Sequence, residues 1–535
     1  MQIKLNKLER LKRELKPIDF NINSCNFTNL SEDDRFYLKN YGIYNIKLSP
    51  NIFMLRIRLD GGVVEKNRFK KLVNLAKEYN LKLIITARAG LELHYIKPKD
   101  ILTIYNLVKE IGFTTHQSLT DNIRAITLDP YDGIAKDSFL ECFSLIEEIK
   151  EDILNNPKYF GMLPRKFNAT IISRVTPHIN PWSNDLLFAL SKDTNEYGFN
   201  VYIGGKNSEV AKSVNIFVKP KDLKRLFISI LDSFIELGLR GSRSKTRLFY
   251  LIEAIGIKKF RDAVEERFGS KLSIEQKLIM QSSKFTQITK LKGGAFAKVL
   301  KCNYGDINLD KALVVLSKKQ EIRVGVDQNL HIIDVKESKD IKTASIIACA
   351  GAKYCSLSLW DIKEDVKLLN LERFSKESIN IGFSGCLKGC GKHHHSHIGL
   401  VGLRTNMFGS TQKALRVFIG ASEVPKPASG RLLYYAVPLK HIDKLFKVLI
   451  DDYKAGGYKD FNEFNIFLEQ FSIETLQLWY LLRQLTTLNN DIKKLFYFNN
   501  NELELLKELK KLNIYPQEEE VYDSIKILSH KLWDN

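Results

Sequence analysis

Long apolar runs are missing from this chain of 535 residues; none approaches the roughly 20 residues that a membrane-spanning helix needs. A membrane partner is therefore not expected. The segment from Met1 to Lys16 is charged throughout, with no apolar core leading to a small-residue cleavage site, so the expected location is cytoplasmic. Nucleotide fingerprints are missing too. Gly204-Gly205-Lys206 lacks the upstream glycine and the following helix signal of a phosphate loop, and no flavin or nicotinamide motif is evident. Electrons for any redox chemistry must then come from another molecule. Cysteine is scarce, with seven in the whole chain. Three of these, Cys25, Cys142 and Cys302, stand far apart, as reduced structural thiols of a cytoplasmic protein would.

What is present is positive charge and ordinary globular composition. Lys and Arg number 82 against 62 Asp and Glu, a formal net charge of +20, and hydrophobic residues make up 44%. Such a field attracts anions: nucleic acid, an acidic redox partner, a polycarboxylate cofactor or a small oxyanion. The basic residues are spread along the chain rather than gathered into one block with interleaved aromatics, so nucleic acid is not an expected partner. The length allows two to four domains.

The other four cysteines fall between Ala348 and Gly402 in two short-spaced pairs, Cys349 with Cys355 and Cys386 with Cys390. Thiolates are soft ligands for zinc or iron–sulfur clusters, and close pairs bring two sulfurs to one centre. Neither spacing matches the tight knuckle of structural zinc, which favours iron–sulfur ligation over zinc and over four metal-free structural thiols. Glycines at 385, 389 and 391 let backbone approach a bulky cluster. His393, His394, His395 and His397 read either as hydrogen-bond donors around that cluster or as a separate metal site.

This cysteine pattern, Phe383-Ser384-Gly385-Cys386-Leu387-Lys388-Gly389-Cys390 after the first pair, resembles the ferredoxin-dependent nitrite and sulfite reductase family. The resemblance implies that Cys349, Cys355, Cys386 and Cys390 hold a [4Fe-4S] cluster and that Cys390 also bridges to a sirohaem iron. Phe53-Met54-Leu55-Arg56-Ile57-Arg58-Leu59-Asp60-Gly61-Gly62 resembles the family's arginine strand, with Arg58 as active-site arginine and Asp60 where proline is usual. Arg124 matches a second substrate arginine. Thr86 and Arg88 match a Thr-x-Arg element that contacts sirohaem. Leu163-Pro164-Arg165-Lys166-Phe167-Asn168 matches a further motif that puts Arg165 at a cofactor position and Lys166 at a substrate position. Arg243 and Arg247, in the basic run from Arg240, are cofactor-binding candidates, with a solvated basic face as the plainer reading. Lys388 replaces an asparagine of the family motif.

Asn168 bears on the substrate. The family's sulfite reductases usually carry a second lysine there and its nitrite reductases asparagine. One cation fewer suits singly charged nitrite. The expectation is six-electron reduction of nitrite to ammonium with ferredoxin, or a similar acidic donor, as electron source; sulfite reduction to sulfide is the alternative. A metal-binding nucleic-acid module is the non-enzymatic reading, and a related corrinoid-pathway synthase also carries a Cys-x-Lys-Gly-Cys form. A monomer is expected.

Period and turn signals sketch the fold. Ile52 to Leu59, Leu83 to Arg88 and Leu91 to Ile96 read as strands, Asn67 to Tyr79 and Ser138 to Asn155 as helices. Leu83–Ile96 aligns without a gap on Ile322–Val335, each copy following an amphipathic helix, the second of them Leu309 to Lys319. The expected fold class is α+β: pseudo-twofold duplicated ferredoxin-like half-domains, two sirohaem/Fe-S-binding α/β domains and a helical C-terminal extension. The expected division is an N-terminal arm (1–49), the half-domains (50–118 with 285–342), a first sirohaem and substrate domain (119–284), a cluster domain (343–465) and the extension (466–535).

Overall fold

Phe53, Leu55 and Ile57 alternate into the core of the first sheet, while Phe69, Leu72, Val73 and Ala76 bury one face of the helix Lys66–Glu78 that follows. Strand period and helix period thus switch where the sequence says they should. The computed structural model describes residues 5–45, 49–318, 321–336, 345–499, 501–512 and 521–534. It separates into two units, Met1–Ile341 and Lys342–Asn535. Met1 to Lys4, the expected helix end at Lys319 and the expected boundary at 342 lie outside the described residues.

Among the described residues, the first unit contains three sheets. Strands β1 (Ile43–Asn45), β2 (Phe53–Ile57), β3 (Lys82–Ile85) and β4 (Leu91–Ile96) pair antiparallel in the order β1-β2-β4-β3. Strands β5 (Ala169–Ile172), β6 (Leu186–Lys192), β7 (Tyr197–Ile203) and β8 (Lys212–Val218) follow in sequence order, with β9 (Lys277–Leu278) on β6. Strands β10 (Ile288–Lys290), β11 (Phe296–Leu300), β12 (Ile322–Val324) and β13 (Leu330–Val335) repeat the first order as β10-β11-β13-β12. In the second unit, β14 (Ser345–Ala348), β15 (Asn380–Ser384), β16 (Ile398–Thr405), β17 (Gln412–Ile419) and β18 (Arg431–Pro438) form one mixed sheet.

The repeat seen in the sequence is a repeat of backbone. Left-handed residues recur at matching positions, Ala89 (φ 55°) with Gln328 (φ 64°) and Tyr95 (φ 71°) with Asp334 (φ 70°). Non-glycine residues seldom adopt this region, so the coincidence is specific. The halves join through mirrored hydrogen bonds: Val324 N–H donates to the Gly62 carbonyl and Ile85 N–H to the Gly305 carbonyl, each at 2.8 Å. Both acceptors must be glycine. Each has positive φ, and a Cβ would stand 2.2 Å from the Val324 oxygen at Gly62 and 2.4 Å from the Ile85 oxygen at Gly305. The helix Lys66–Glu78 also meets Leu309–Leu316. Their ion pair, Lys77 to Asp310 at 2.7 Å, is exposed and worth at most about 1 kcal/mol, so buried Ala312 and Leu316 contribute more.

A second duplication was not legible in the sequence. β5 and β6 run parallel and β6, β7 and β8 antiparallel, before the helix Pro220–Leu237. β15 to β18 repeat this, before the helix Ile442–Ala455. Ala169 pairs Leu186 as Ile381 pairs Ile398, so the connections 173–185 and 385–397 have equal length. A shared hydrogen bond fixes the match: Asn168 N–H donates to Asp185 Oδ2 at 2.9 Å, and Asn380 N–H to His397 Nδ1 at 3.2 Å. By position, Arg174 corresponds to Cys386 and His178 to Cys390.

The helix expected from Ser138 begins only at Phe143 and runs to Leu154. The preceding backbone is used elsewhere: Phe139 N–H donates to the Ser173 carbonyl at 3.0 Å and Cys142 N–H to Asp132 Oδ2 at 2.9 Å. In the second unit, the C-terminal helices cover β18. Gln477 Nε2 donates to the Leu433 carbonyl at 2.6 Å, Arg431 donates to the Phe471 and Leu468 carbonyls, and Trp533 packs edge-on against Tyr434. Among the described residues, no helix is long and apolar enough to cross a membrane.

Candidate functional site

In the second unit the parallel pair β14 and β15 sets the cysteines. Ala348 pairs Phe383, so both strands end at the same level, and Cys349 and Cys386 emerge just beyond their carboxyl ends, where open α/β sheets place ligands. Cys349 N–H donates to the Phe383 carbonyl at 2.9 Å. Gly385 N–H points at Cys349 Sγ at 3.1 Å, a donor of the kind that tunes cluster sulfurs. Burial pushes the free Cys349 thiol up to about 12, with Cys390 and Cys386 adding to the rise and the N–H groups of Gly351 and Gly385 opposing it. Cys386 is likewise raised by burial and by Cys390 and Cys355. Cys386 thus lies within electrostatic reach of each of the other three thiols, and sulfurs met by backbone donors fit an iron–sulfur cluster, whose iron would take up the thiolate charge. His393 Nδ1 bonds Ser384 Oγ at 2.9 Å, His394 Nδ1 the Gly430 carbonyl at 3.0 Å and His397 Nδ1 the Asn380 N–H. These bonds fix the turn that carries Cys386 and Cys390, and they leave His393 Nε2 buried without a protein partner.

In the first unit, segment 122–127 runs beside 167–170. Arg124 N–H donates to the Phe167 carbonyl at 2.8 Å, Phe167 N–H to the Asn122 carbonyl at 3.0 Å, and Thr127 bridges parallel to Thr170. This pairing brings Arg124 beside the Arg165-Lys166-Phe167-Asn168 motif. Burial lowers Arg124 well below the usual arginine range, and Arg56, Arg88 and Arg165 add to that. Burial also pulls Arg88 down to about 10, with Arg247 and Arg58 assisting and Asp185 opposing. Arg165 is lowered by burial and Arg243. Four guanidinium groups, Arg56, Arg88, Arg124 and Arg165, thus crowd together, and the Nε atoms of Arg88 and Arg124 are buried without a protein partner. A buried donor left unpaired costs about 1–3 kcal/mol. This group fits an anion.

Local turns hold the set. Thr86 Oγ1 accepts the Arg88 N–H at 3.3 Å and the Gly90 N–H at 3.1 Å, and the Arg88 fork reaches Asn184 Oδ1 at 2.7 Å and the Ala125 carbonyl at 3.0 Å. Lys166 is half-buried and Asn168 is buried.

Three sequence expectations change. Arg58 is not the open cation of its strand: Nε and Nη2 form a fork on Asp60 at 2.7 and 2.9 Å, and Nη1 donates to the Ile123 carbonyl at 2.7 Å. Its side chain is 0% exposed, against 32% for Arg56, so Arg56 is the residue that joins the guanidinium group. Asp60, departing from the family's proline, also accepts the Ile126 N–H at 2.8 Å and so ties this strand to the Arg124 segment. Arg243 and Arg247 are neither solvated nor open: Arg243 forks onto Asp121 at 2.7 and 2.6 Å, and Arg247 onto Asp185 at 2.9 and 2.7 Å.

Sequence reasoning also missed the partners. Buried Lys12, from the helix Lys7–Glu14, reaches Asp121 at 2.9 Å, Glu9 at 2.6 Å and the Leu163 carbonyl at 2.7 Å. Burial alone would raise Asp121, but Lys12 and Arg243 hold it below the usual range. Glu92 forks onto Arg56 and bonds His94 Nε2 at 2.9 Å. Burial would raise it, yet Arg56 and His94 keep it well below the usual range. Apart from Glu9, which stands three positions before Lys12 on one helix, no local signal announces these pairs, because each partner lies far along the chain or faces a residue two positions away on a strand.

Comparisons with known proteins bear on the family. Residues 119–272 match the family model described as nitrite and sulphite reductase 4Fe-4S domain, and residues 46–111 that described as nitrite/sulfite reductase ferredoxin-like half domain. The chain is 26% identical over 494 residues to a ferredoxin–nitrite reductase of Leptolyngbya laminosa, covering 83% of this chain and 96% of that one. It is 24% identical over 429 residues to sulfite reductase [ferredoxin] 1 of Mycolicibacterium paratuberculosis, covering 72% and 76%. The solved NirA protein of Mycobacterium tuberculosis shares the fold, with TM-score 0.76 and 20% identity over 88% of this chain and 97% of that one.

Proposed function

The chain belongs to the nitrite and sulfite reductase family, and on that premise we propose that it carries out the six-electron reduction of nitrite to ammonium, fed by ferredoxin. The guanidinium group in the first unit carries the proposal, because the Nε donors of Arg88 and Arg124 are buried there without a protein partner. Cys349, Cys355, Cys386 and Cys390 would hold the [4Fe-4S] cluster. Arg88 and Arg165 would meet the carboxylates of sirohaem, with Thr86 setting the Arg88 turn. When bound, these groups supply an open iron coordination position and a store of electrons.

What the chain adds is charge and protons. Arg56 and Arg124 bind the oxyanion and neutralise negative charge as it develops, which preorganised cations do without reorganisation at the moment of reaction. Arg58, Arg243 and Arg247 hold Asp60, Asp121 and Asp185, and through them the backbone around Arg124 and Asn168. Lys166 can both attract the anion and release a proton as each oxygen leaves as water. Asn168, neutral, leaves the group one charge short of a lysine at that position, which suits nitrite better than doubly charged sulfite. The proposed division of labour follows the expected domains: half-domains at 50–118 and 285–342, anion and cofactor residues in 119–284, cluster residues in 343–465, and a covering extension in 466–535. The net charge of +20 suits an acidic donor.

The deciding experiment compares nitrite and sulfite as substrates with one reduced ferredoxin. Higher kcat/KM for nitrite is expected. A clear preference for sulfite would keep the scaffold and overturn the substrate. Absence of sirohaem absorption after expression with ample cofactor supply would overturn the reading as a whole.

A further inference from the structure

One cluster of ligating side chains takes no part in the function above. His178, Asp327 and His331 are all buried, and one donor atom from each lies within 4.8 Å of the others. His331 Nε2 is 3.0 Å from Asp327 Oδ1, and His178 Nε2 is 3.4 Å from Asp327 Oδ2. Adjacent ligands on a tetrahedral zinc, with bonds of about 2.0–2.1 Å, stand about 3.3 Å apart. Each carboxylate oxygen thus faces one imidazole at a spacing that suits a shared metal, and two nitrogens with two oxygens make four donors.

The surroundings hold the donors in place. Tyr131 OH lies 2.7 Å from His331 Nδ1, leaving Nε2 to face Asp327. Asn329 donates to the carboxylate through its backbone N–H at 3.3 Å and Nδ2 at 2.9 Å. Such outer partners orient metal ligands. Gly325 closes the cradle: a Cβ there would lie 2.1 Å from Asp327 Oδ1 and 2.3 Å from His331 Nε2. The nearby cation Arg174 is committed to Asp129 at 3.1 Å and Asp137 at 2.9 Å, so it does not balance Asp327.

Position in the duplicated scaffold points the same way. His178 occupies the loop position that Cys390 occupies in the other copy, and Asp327 aligns with Arg88. Within the first unit these two positions carry an imidazole and a carboxylate, in place of the thiol and guanidinium at the matched positions.

We propose that His178, Asp327 and His331 form a closed structural zinc site in the first unit. Two imidazole nitrogens and a carboxylate are a donor set that suits zinc, and full burial leaves no position for a substrate. Zinc is measured by mass spectrometry on the holoprotein after passage over a chelating resin, with zinc K-edge X-ray absorption on the same sample. The expected result is about one zinc per chain with a nitrogen/oxygen shell at about 2.0–2.1 Å. Asp327→Asn and His331→Gln should each weaken zinc retention by about 10-fold or more, with iron content unchanged. No bound zinc and no uptake from added zinc chloride would overturn the proposal, leaving a hydrogen-bonded His-Asp-His network. A sulfur shell near 2.3 Å would also overturn it, by placing zinc on cysteines. The wild-type measurement decides even if a variant fails to fold.

Discussion

The two copies of the half-domain share strand order, left-handed residues and reciprocal glycine hydrogen bonds, yet differ in the charge carried at matched positions. In the first copy Arg56 stands opposite Glu92 on β2 and β4; in the second Val299 stands opposite His331 on β11 and β13. Arg88 in one aligns with Asp327 in the other. The lesson is that the backbone framework and the ligand preference are separable. Main-chain hydrogen bonds and two obligatory glycines keep the frame, while side chains at matched positions set the local charge.

The sharpest way to break this comparison is at Cys390, the mate of His178. Cys390→Ser is expected to abolish turnover with loss of cluster iron, read by iron analysis and absorption spectra; retained cluster and activity would remove the thiol from the site. Arg56→Ala should lower kcat/KM for nitrite by roughly 100- to 1000-fold, the usual cost of removing one donor from a preorganised site. An effect no larger than that of Arg58→Lys would return the role to Arg58.

Next comes the pair His397 and Asp185, which accept the same backbone bond. Burial lowers His397 to about 4 from 6.5, with Asp460 opposing. The unfolded chain therefore takes up a proton first as pH falls, and stability is lost between pH 6.5 and 4, by up to roughly 3 kcal/mol. His397→Asn keeps an acceptor and should flatten that slope in urea unfolding at pH 7 and pH 5; parallel slopes for both proteins would refute it. Gly62→Ala and Gly305→Ala should each cost about 1–3 kcal/mol, and similar losses at both would confirm that the two junctions are equivalent. The smallest effect is expected from Asn168→Lys, a shift of the sulfite-to-nitrite ratio by about 10-fold, or ~1.4 kcal/mol, read by paired steady-state assays.

Much of this was legible from the chain. Leu91–Ile96 is the strand its alternation indicates, and Ser31 caps the helix Glu32–Leu38 through a box with Asp34, as its acidic first turn suggests. The cysteine pairs were legible because each falls within a few residues of sequence, just beyond the ends of β14 and β15. Arg58 misled because Arg56 and Arg58 share a strand face by period, and only Asp60 and the Ile123 carbonyl decide which of the two turns inward. The basic run at Arg240 looked solvated because Asp121 and Asp185 are remote in sequence. The duplication of the cluster-bearing sheet escaped notice because matched residues such as His178 and Cys390 share no chemistry.

By itself the sequence determined the chemistry available: four thiolates in two close pairs, an excess of guanidinium and ammonium groups, and a repeated strand–helix–strand frame. These are local properties, carried by spacing and period. Tertiary structure decided which cations stay open and which are held by buried aspartates, and it gathered His178, Asp327 and His331 from distant segments. Those choices depend on desolvation and on long-range pairing, which act only once the backbone has brought the charges together.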